Sequence, residues 1–584
     1  MSVLITTAFK RKRDIDQDIL YLGDWCKKNL TERDIHNDNS STVPHYWDDR
    51  EKYYQDYKYI SNLIENKIYP AMTTELNRIH DVDCSNRYWE IVLGPWLILL
   101  LPCLLDRWNM IMFASREYDI DYVLFDNDRE NIVPYDTMGF KELRREDRWN
   151  NYIYNIIVDK WTSLKSVNIE PSNPIENNKL KFKFKSKIKF CLYGLYNFAS
   201  FFSRNNSIVF FDSYMPKAKQ WKIEFLLGQI PSTRYSYIRP DRHIPLDLKL
   251  RQGVSFKFES NSEFELFVMS MLPKQLPVIF LEGYTYLVRK SNGYLFPKYP
   301  NIIFTSNAHL SNDVFNVWSA RSAERNAKLI IAQHGGGYGS NKYSIHQDHE
   351  KKISDYFMTW GWINEGKPYT SFLMVKDFVK YQKKLKKKNG ILHILYSFDR
   401  YPIYLESTPT PSQYIEYIYN QNSFIENINH SLVQNYTVRK HPNARDWGLL
   451  DTINPQGLNI SFDSNKHFLK SLYSHKLIVV TANETVFFQT LASGIPMVAF
   501  FDPRLNEMND YAAIDYNHLR SSGILHDTPE SAAKFINNIW GDINAWWKNG
   551  QVQSARKQFC NKYAKTSPDA SGKWVEFFRK TKGI

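Results

Sequence analysis

From Ser207 onward, short apolar runs alternate with helix-length segments: "SIVFFDS", "PVIFLEG", "NIIFTSN", "KLIIAQHG" and "DYFMTWG". After a lysine-rich run the pattern restarts with "GILHILYS", "YTVRKHP", "LNISFD", "KLIVVTAN" and "IPMVAFFD". Nearly continuous apolar strands separated by helical stretches predict parallel sheets covered by helices on both faces. The restart near Gly390 predicts two Rossmann-like lobes, an N-terminal one over residues 1–388 and a C-terminal one over 389–540, with helices at 541–584 packing back across both. The segment at about 20–115 differs: "LGDWCKKNL" and "RYWEIVLGPWLILLLPCLLDRW" predict a helical elaboration of the first lobe, followed by one strand candidate at "YDIDYVLFD". Its most apolar part, Ile91 to Leu105, is interrupted by Gly94, Pro95 and Pro102 and falls short of a membrane span. The opening "MSVLITTAFKRKRD" carries its charges after a very short apolar run and reads as a first strand rather than a signal peptide.

Composition narrows the class. At 584 residues the chain exceeds one ordinary core. Cys26, Cys84, Cys103, Cys191 and Cys560 are scattered and odd in number, which argues against a disulfide framework or a zinc site and for a reducing compartment. The net charge of +13 favours anionic partners. In "KLKFKFKSKIKF" lysines alternate with mostly apolar residues from Lys179 to Lys189, the period of a strand with one wet face that can also meet anionic lipid. A second run, "KYQKKLKKKNG", reads as a solvated helix leading into a linker. No RRM or zinc-finger signature accompanies the lysines, so nucleic acid is not the expected partner.

In doubly wound sheets ligands bind beyond the carboxyl ends of strands, and the candidate chemistry lies there. "QHGGGYG" follows "LIIA": its glycines leave backbone bare for a ligand, with Gln333, Gly335 and Gly336 lining it and His334 delivered to the cleft. "VRKHP" brings Arg439, His441 and Pro442 to another strand end, where His441 suits a phosphate. In "TANETVFFQTLASGIP", Thr481 with Glu484 predicts a capping box and Gly494 with Pro496 the helix end; the helix start forms an anion site to which Asn483 and Thr485 add neutral donors. Carboxylates also end apolar runs: Glu282, Asp212 and Asp355. Glu282, next to Gly283 and one strand-helix unit before the histidine loop, is the leading candidate nucleophile, with Asp212 second and His334 as the acid/base group.

The ordered pair "VRKHP" and "TANETVFFQTLASGIPMVAFF" resembles the HP and Ser/Thr motifs of bacterial GT-B sialyltransferases and Kdo transferases. Together "LGDWC", "RYWEIVLGPW", "LEGY", "AQHGGGYG" and "DYFMTWGW" look like a family of surface-polysaccharide transferases that includes retaining pseudaminic acid transferases. The resemblance implies a GT-B fold, a CMP-activated nonulosonic acid donor (pseudaminic, legionaminic, sialic or Kdo type), a glycan or lipid-linked acceptor, retention of configuration, no metal or cofactor, and a cytoplasmic protein peripheral to the membrane. By position it makes His441 the donor-phosphate ligand and puts Asn483, Glu484 and Thr485 at the nucleotide or sugar carboxylate. Asn-Glu-Thr departs from the paired Ser/Thr of the sialyltransferases and leaves that contact to Thr485. A GT-B epimerase, a CDP-polyol phosphotransferase and a non-catalytic glycan-binding protein remain open alternatives.

Overall fold

A computed structural model describes residues 2–8, 17–28, 40–126, 132–169, 202–203, 205–232, 244–293, 296–363, 369–374, 390–433, 436–441, 453, 460–463 and 467–582. Both lysine runs, at Lys179 to Lys189 and Lys380 to Lys388, lie outside the described residues, as does Pro442.

The strands form three all-parallel sheets. In the first, β1 (Ser2–Ile5), β2 (Asp18–Tyr21), β3 (Ser40–Thr42), β4 (Ile120–Asp126) and β5 (Ser166–Ile169) lie in the order β3-β2-β1-β4-β5. In the second, β6 (Ile208–Phe211), β7 (Ile302–Thr305), β8 (Lys328–Ala332), β9 (Tyr356–Thr359) and β10 (Tyr369–Ser371) follow one another across the sheet. The third holds β11 (Ile391–Ile394), β12 (Tyr436–Arg439), β13 (Ser461–Phe462), β14 (Leu477–Val480), β15 (Met497–Phe500) and β16 (Leu525–His526), ordered β13-β12-β11-β14-β15-β16. That is the third-second-first-fourth-fifth-sixth order of a Rossmann sheet, whose crevice opens between β11 and β14. The molecule has the GT-B fold, with two Rossmann-like α/β lobes.

Two sequence expectations change. The N-terminal segment holds its helices, but they pack on a five-stranded sheet where periodicity showed one internal strand. Its strands β2 and β3 span only Asp18–Tyr21 and Ser40–Thr42, too short for a period to register. Conversely "PVIFLEG" is no strand: Val278–Phe280 form a 3-10 turn whose start bonds Pro134 and Tyr135 carbonyls. An apolar run alone does not distinguish a buried strand from a buried turn.

The apolar run at Ile91 extends into a helix from Asn86 to Glu117 that contains both prolines. By length and composition it could cross a membrane, yet 94% of its most apolar window is buried inside the protein. It packs against helix Asp147–Trp161 on one side and helices Asp313–Ala323 and Ile345–Ile353 on the other, so it joins the first two sheets. A glycine is required where it crosses Ile345–Ile353, because a Cβ on Gly94 would stand 2.0 Å from His349 Cε1. At the other end of the chain, helix Gly550–Tyr563 packs on the C-terminal lobe and helix Ala570–Lys582 on helix Lys217–Leu226 of the N-terminal lobe.

The lobes are fastened by the strap that follows β11, from Phe398 to Gln413. Arg107 donates to the Pro402 carbonyl at 2.5 Å and Arg144 to that of Ile403 at 2.8 Å, while Arg50 reaches the Thr408 carbonyl at 3.2 Å. Arg145 pairs with Asp399, and Arg400 of the strap pairs with Asp147 of the first lobe. Arg107 and Asp106 are buried partners, and His45 binds the other oxygen of Asp106 at 2.8 Å. Arg107→Ala is expected to lower stability by roughly 3–5 kcal/mol, because it strands a buried carboxylate and a strap carbonyl. Urea denaturation followed by tryptophan fluorescence measures this, and an unchanged midpoint would show that the strap is not held in this way.

Candidate active site

Residues that follow the carboxyl ends of β6, β7, β8, β11 and β14 converge on one cleft with about 420 Å³ of free space. The N-terminal lobe contributes Tyr214, Leu310, the glycine loop and, from the Asn86–Glu117 helix, Pro95, Ile98 and Leu99. The C-terminal lobe contributes Tyr396, Tyr404, Glu406, Thr408, Glu484 and Thr485.

The loop after β8 is built around Gln333. Its amide nitrogen donates to the Gly335 carbonyl at 2.8 Å, and its amide oxygen accepts from Trp360 N and Trp362 Nε1, both at 2.9 Å. The "AQHGGGYG" and "TWGW" segments are therefore one unit. His334 emerges from it with 23% of its side chain exposed, and its Nδ1 lies 3.5 Å from the fully buried Glu350 Oε1. Glu350 also takes His309 Nε2 at 2.7 Å. Burial alone would raise its pKa, but the His334 charge, the His309 contacts and Tyr338 outweigh burial and hold it below the usual range. An ionised carboxylate behind a half-open imidazole is the arrangement that orients a histidine for proton transfer.

A second histidine–carboxylate pair spans the lobes, with His346 Nδ1 2.7 Å from Glu406 Oε1. Ser344 Oγ donates to the same oxygen at 3.2 Å. Glu484, at the head of helix Thr485–Ser493, shares the cleft; burial first, and the charge of Glu406 next, push its pKa up to about 8. The site thus holds an ionised Glu350 and a protonated Glu484 at neutral pH, the divergence that lets carboxyl groups take different roles in proton transfer. Among the described residues no group of three or more His, Cys, Asp or Glu side chains is arranged to hold a metal ion.

The family model of the LIC12162 family transferases matches residues 2–578. The chain belongs to the LIC12162 family of transferases. No curated protein matches it in sequence. Solved structures similar to this LIC12162-family transferase include the glycosyltransferase VinC in complex with dTDP, at 10% identity and TM-score 0.33 over 65% of this chain and 99% of that one. The wall teichoic acid polymerase TagF is similar at 11% identity and TM-score 0.31 over 68% and 95% of the two chains. The glycosyltransferase SnogD from Streptomyces nogalater is similar at 9% identity and TM-score 0.29 over 63% and 98%.

The glycine loop serves the seam between lobes more than a ligand. A Cβ on Gly336 would lie 2.4 Å from Phe488 and 2.7 Å from the Glu484 backbone, and Gly336 N donates to Thr485 Oγ1 at 3.0 Å. Gly335 faces both Thr485 and the cleft. The other predicted donor-site residues are likewise tied to protein. Thr481 does not cap the helix: its hydroxyl bonds Tyr417 and the Ile394 carbonyl, and the helix begins at Thr485 with Glu484 as N-cap. Asn483 joins Asn341 at 3.1 Å and Tyr516 at 2.7 Å. Gln333 is spent on its own loop, as above. Arg439 pairs with Asp463. His441, just beyond β12 at the carboxyl edge of the third sheet, is exposed at the surface though its ring is flanked by protein, and it is not among the cleft-lining residues; that partial desolvation and then Arg439 lower its pKa.

Glu282 is not in the cleft. Its side chain, 5% exposed, is held in a bidentate pair with Arg251, Nε and Nη2 each 2.7 Å away, and the turn that carries it is not a sheet strand. Asp355 stands at the amino end of β9, fixed by Arg87 at 2.7 Å, on the wrong edge of the sheet. Asp212 does end β6 but does not line the cleft. Both Asp212 and Tyr214 have positive φ, 38° and 55°, which costs a side-chain-bearing residue on the order of 1 kcal/mol and turns Tyr214 into the cleft. His346 and Glu350 belong to no motif in the sequence and lie on helix Ile345–Ile353, which follows the glycine loop. Their i, i+4 spacing on one helix was the available signal. Glu406 lies in the irregular strap and had none.

Glu282→Gln is expected to lower stability by roughly 3–5 kcal/mol by leaving the buried Arg251 charge with carbonyl partners but no carboxylate, with transfer per folded molecule unchanged. A variant that folds as firmly as the parent but has lost turnover would return Glu282 to the reaction. For Glu484, the folded state retains a proton that the unfolded chain releases, so between pH 4.5 and about 8 its contribution to stability falls as pH rises. The melting temperature of Glu484→Gln should therefore gain on the parent's from pH 5 to pH 8 and level off above. A margin independent of pH would contradict the protonated state.

Proposed function

We propose that this GT-B transferase moves a nonulosonic acid from a CMP-linked donor to a surface glycan, with retention of configuration. The reading is carried by one observation: strand ends of both lobes bring two histidine–carboxylate pairs and the protonated Glu484 to a single cleft. An adjoining hollow in the C-terminal lobe, with about 40 Å³ of free space, is lined by Tyr396, Phe398, Tyr417, Asn420 and Phe500; its aromatic faces suit a nucleobase, which would have to widen it to enter. Departing CMP carries a phosphate dianion. Glu484 can donate a proton toward it, while the free N–H groups at the start of helix Thr485–Ser493 favour negative charge. His441, with Arg439 beside it, is the proposed phosphate ligand of the "VRKHP" motif. His334, steadied by Glu350, and the His346–Glu406 pair are the groups placed to move the acceptor's proton.

The acceptor is proposed to be lipid-linked and met at an anionic membrane surface. Besides the +13 net charge, helix Lys217–Leu226 supports this by exposing Trp221 and Phe225 next to Lys219 and Lys222. Thermal shift with CMP, CDP and UDP tests the donor, since binding stabilises the native state by mass action. CMP is expected to give the largest shift, and His441→Ala to weaken CMP by roughly 1.5–3 kcal/mol in calorimetry. A larger shift with UDP or CDP would replace the proposed donor class.

A further inference from the structure

The cleft has one cationic side chain that the reading above leaves unused. Lys141, on helix Thr137–Leu143, is the sole Lys or Arg among the described residues that line it. Its neighbours on the same turn are committed: Arg144 to the Ile403 carbonyl and the Tyr404 ring, Arg145 to Asp399. The Lys141 Nζ has no ion pair or hydrogen bond with any described residue; only its backbone carbonyl is engaged, by Arg145. Burial first, and then the positive charges of Arg144 and Arg145, lower its pKa to about 8. At neutral pH the group is still an ammonium, largely enclosed and unpaired, which is unfavourable until an anion arrives.

The place of Lys141 in the cleft selects among anions. The aromatic hollow proposed above for the nucleobase belongs to the C-terminal lobe and shares Tyr396, Thr408 and Glu484 with the cleft, but not Lys141. Lys141 stands on the N-terminal lobe beside the apolar wall of Pro95, Ile98 and Leu99. With a nucleotide in that hollow, its phosphate would stay with the C-terminal lobe, and only the substituents of the transferred sugar would reach Lys141. We propose that Lys141 is the carboxylate subsite of the cleft and selects a transferred sugar that bears an acid group. This rests on the reading that the cleft takes a nucleotide-activated sugar, and it explains how an acidic sugar would be told from a neutral one: a neutral sugar leaves the ammonium desolvated and unpaired.

The test compares N-acetylneuraminic acid with its methyl ester, alone and without nucleotide, by ligand-observed NMR titration against the parent, Lys141→Met and Lys141→Arg. The parent should prefer the acid by about tenfold or more, as expected for one charge-assisted contact. Lys141→Met should lose that preference while binding the ester as the parent does, and Lys141→Arg should recover part of it. Equal binding of acid and ester by the parent, or an undiminished preference in Lys141→Met, would overturn the proposal. CMP titrated in parallel separates the two ideas. Loss of CMP affinity in Lys141→Met, to the same degree as loss of the acid, would mean that Lys141 holds phosphate and would overturn the carboxylate assignment. Failure of CMP to bind the parent would sink the donor reading, while the acid-against-ester comparison would still decide Lys141.

Discussion

A peptide carbonyl cannot be left unpaired inside a protein without a cost of about 1–3 kcal/mol, and the strap after β11 runs between two lobes with little sheet of its own. Its carbonyls at Pro402, Ile403 and Thr408 are satisfied by guanidinium groups from the other lobe, those of Arg107, Arg144 and Arg50. Donor and acceptor thus come from opposite sides, and neither lobe can complete its polar interior alone. The hydrophobic side agrees, since one cluster of buried side chains runs from Leu4 through Ile331 to Phe488 and Phe559. The cleft depends on this seam because its walls are made of the same residues. Tyr404, Glu406 and Thr408 belong to the strap, and pinning its carbonyls fixes where Glu406 meets His346.

The electrostatic character of the cleft follows from that enclosure. Low dielectric and fixed neighbours treat similar groups differently. Glu350 has His334 and His309 against its carboxylate and is held ionised, whereas Glu484, facing Glu406, keeps its proton to about pH 8. The same enclosure leaves Lys141 charged without a partner while the arginines beside it are consumed by the strap. Two oriented imidazoles, a neutral acid and an unsatisfied cation suit the anionic substrate proposed above, whose bond breaking would generate more negative charge.

The close approach of the lobes also accounts for the glycines of "QHGGGYG". Gly336 is small because Phe488 and the Glu484 backbone occupy the space a side chain would need. The loop can then place Thr485 Oγ1 on its own N–H and hold the helix start of one lobe against the strand end of the other. Segments from successive strand ends prove to be contact partners: Gln333 of the glycine loop binds Trp360 and Trp362 of "TWGW".

By itself the sequence determined the fold class, the restart near Gly390 and most of the strands of the second and third sheets. These are local properties, since a parallel strand buried on both faces is a continuous apolar run and a helix end at Gly494 is written in one residue with φ of 72°. It also singled out His334 and Glu484. Tertiary structure alone decided what each polar group spends its hydrogen bonds on. Glu282, Thr481, Asn483 and Arg439 look available in the chain and are paired in the fold, with Arg251, Tyr417, Tyr516 and Asp463. Glu350, Glu406 and Lys141 carry no motif and acquire their significance from residues distant in sequence. The reason is physical: periodicity and turn chemistry act over a few residues, whereas desolvation and ion pairing depend on which surfaces meet when the lobes close on the strap.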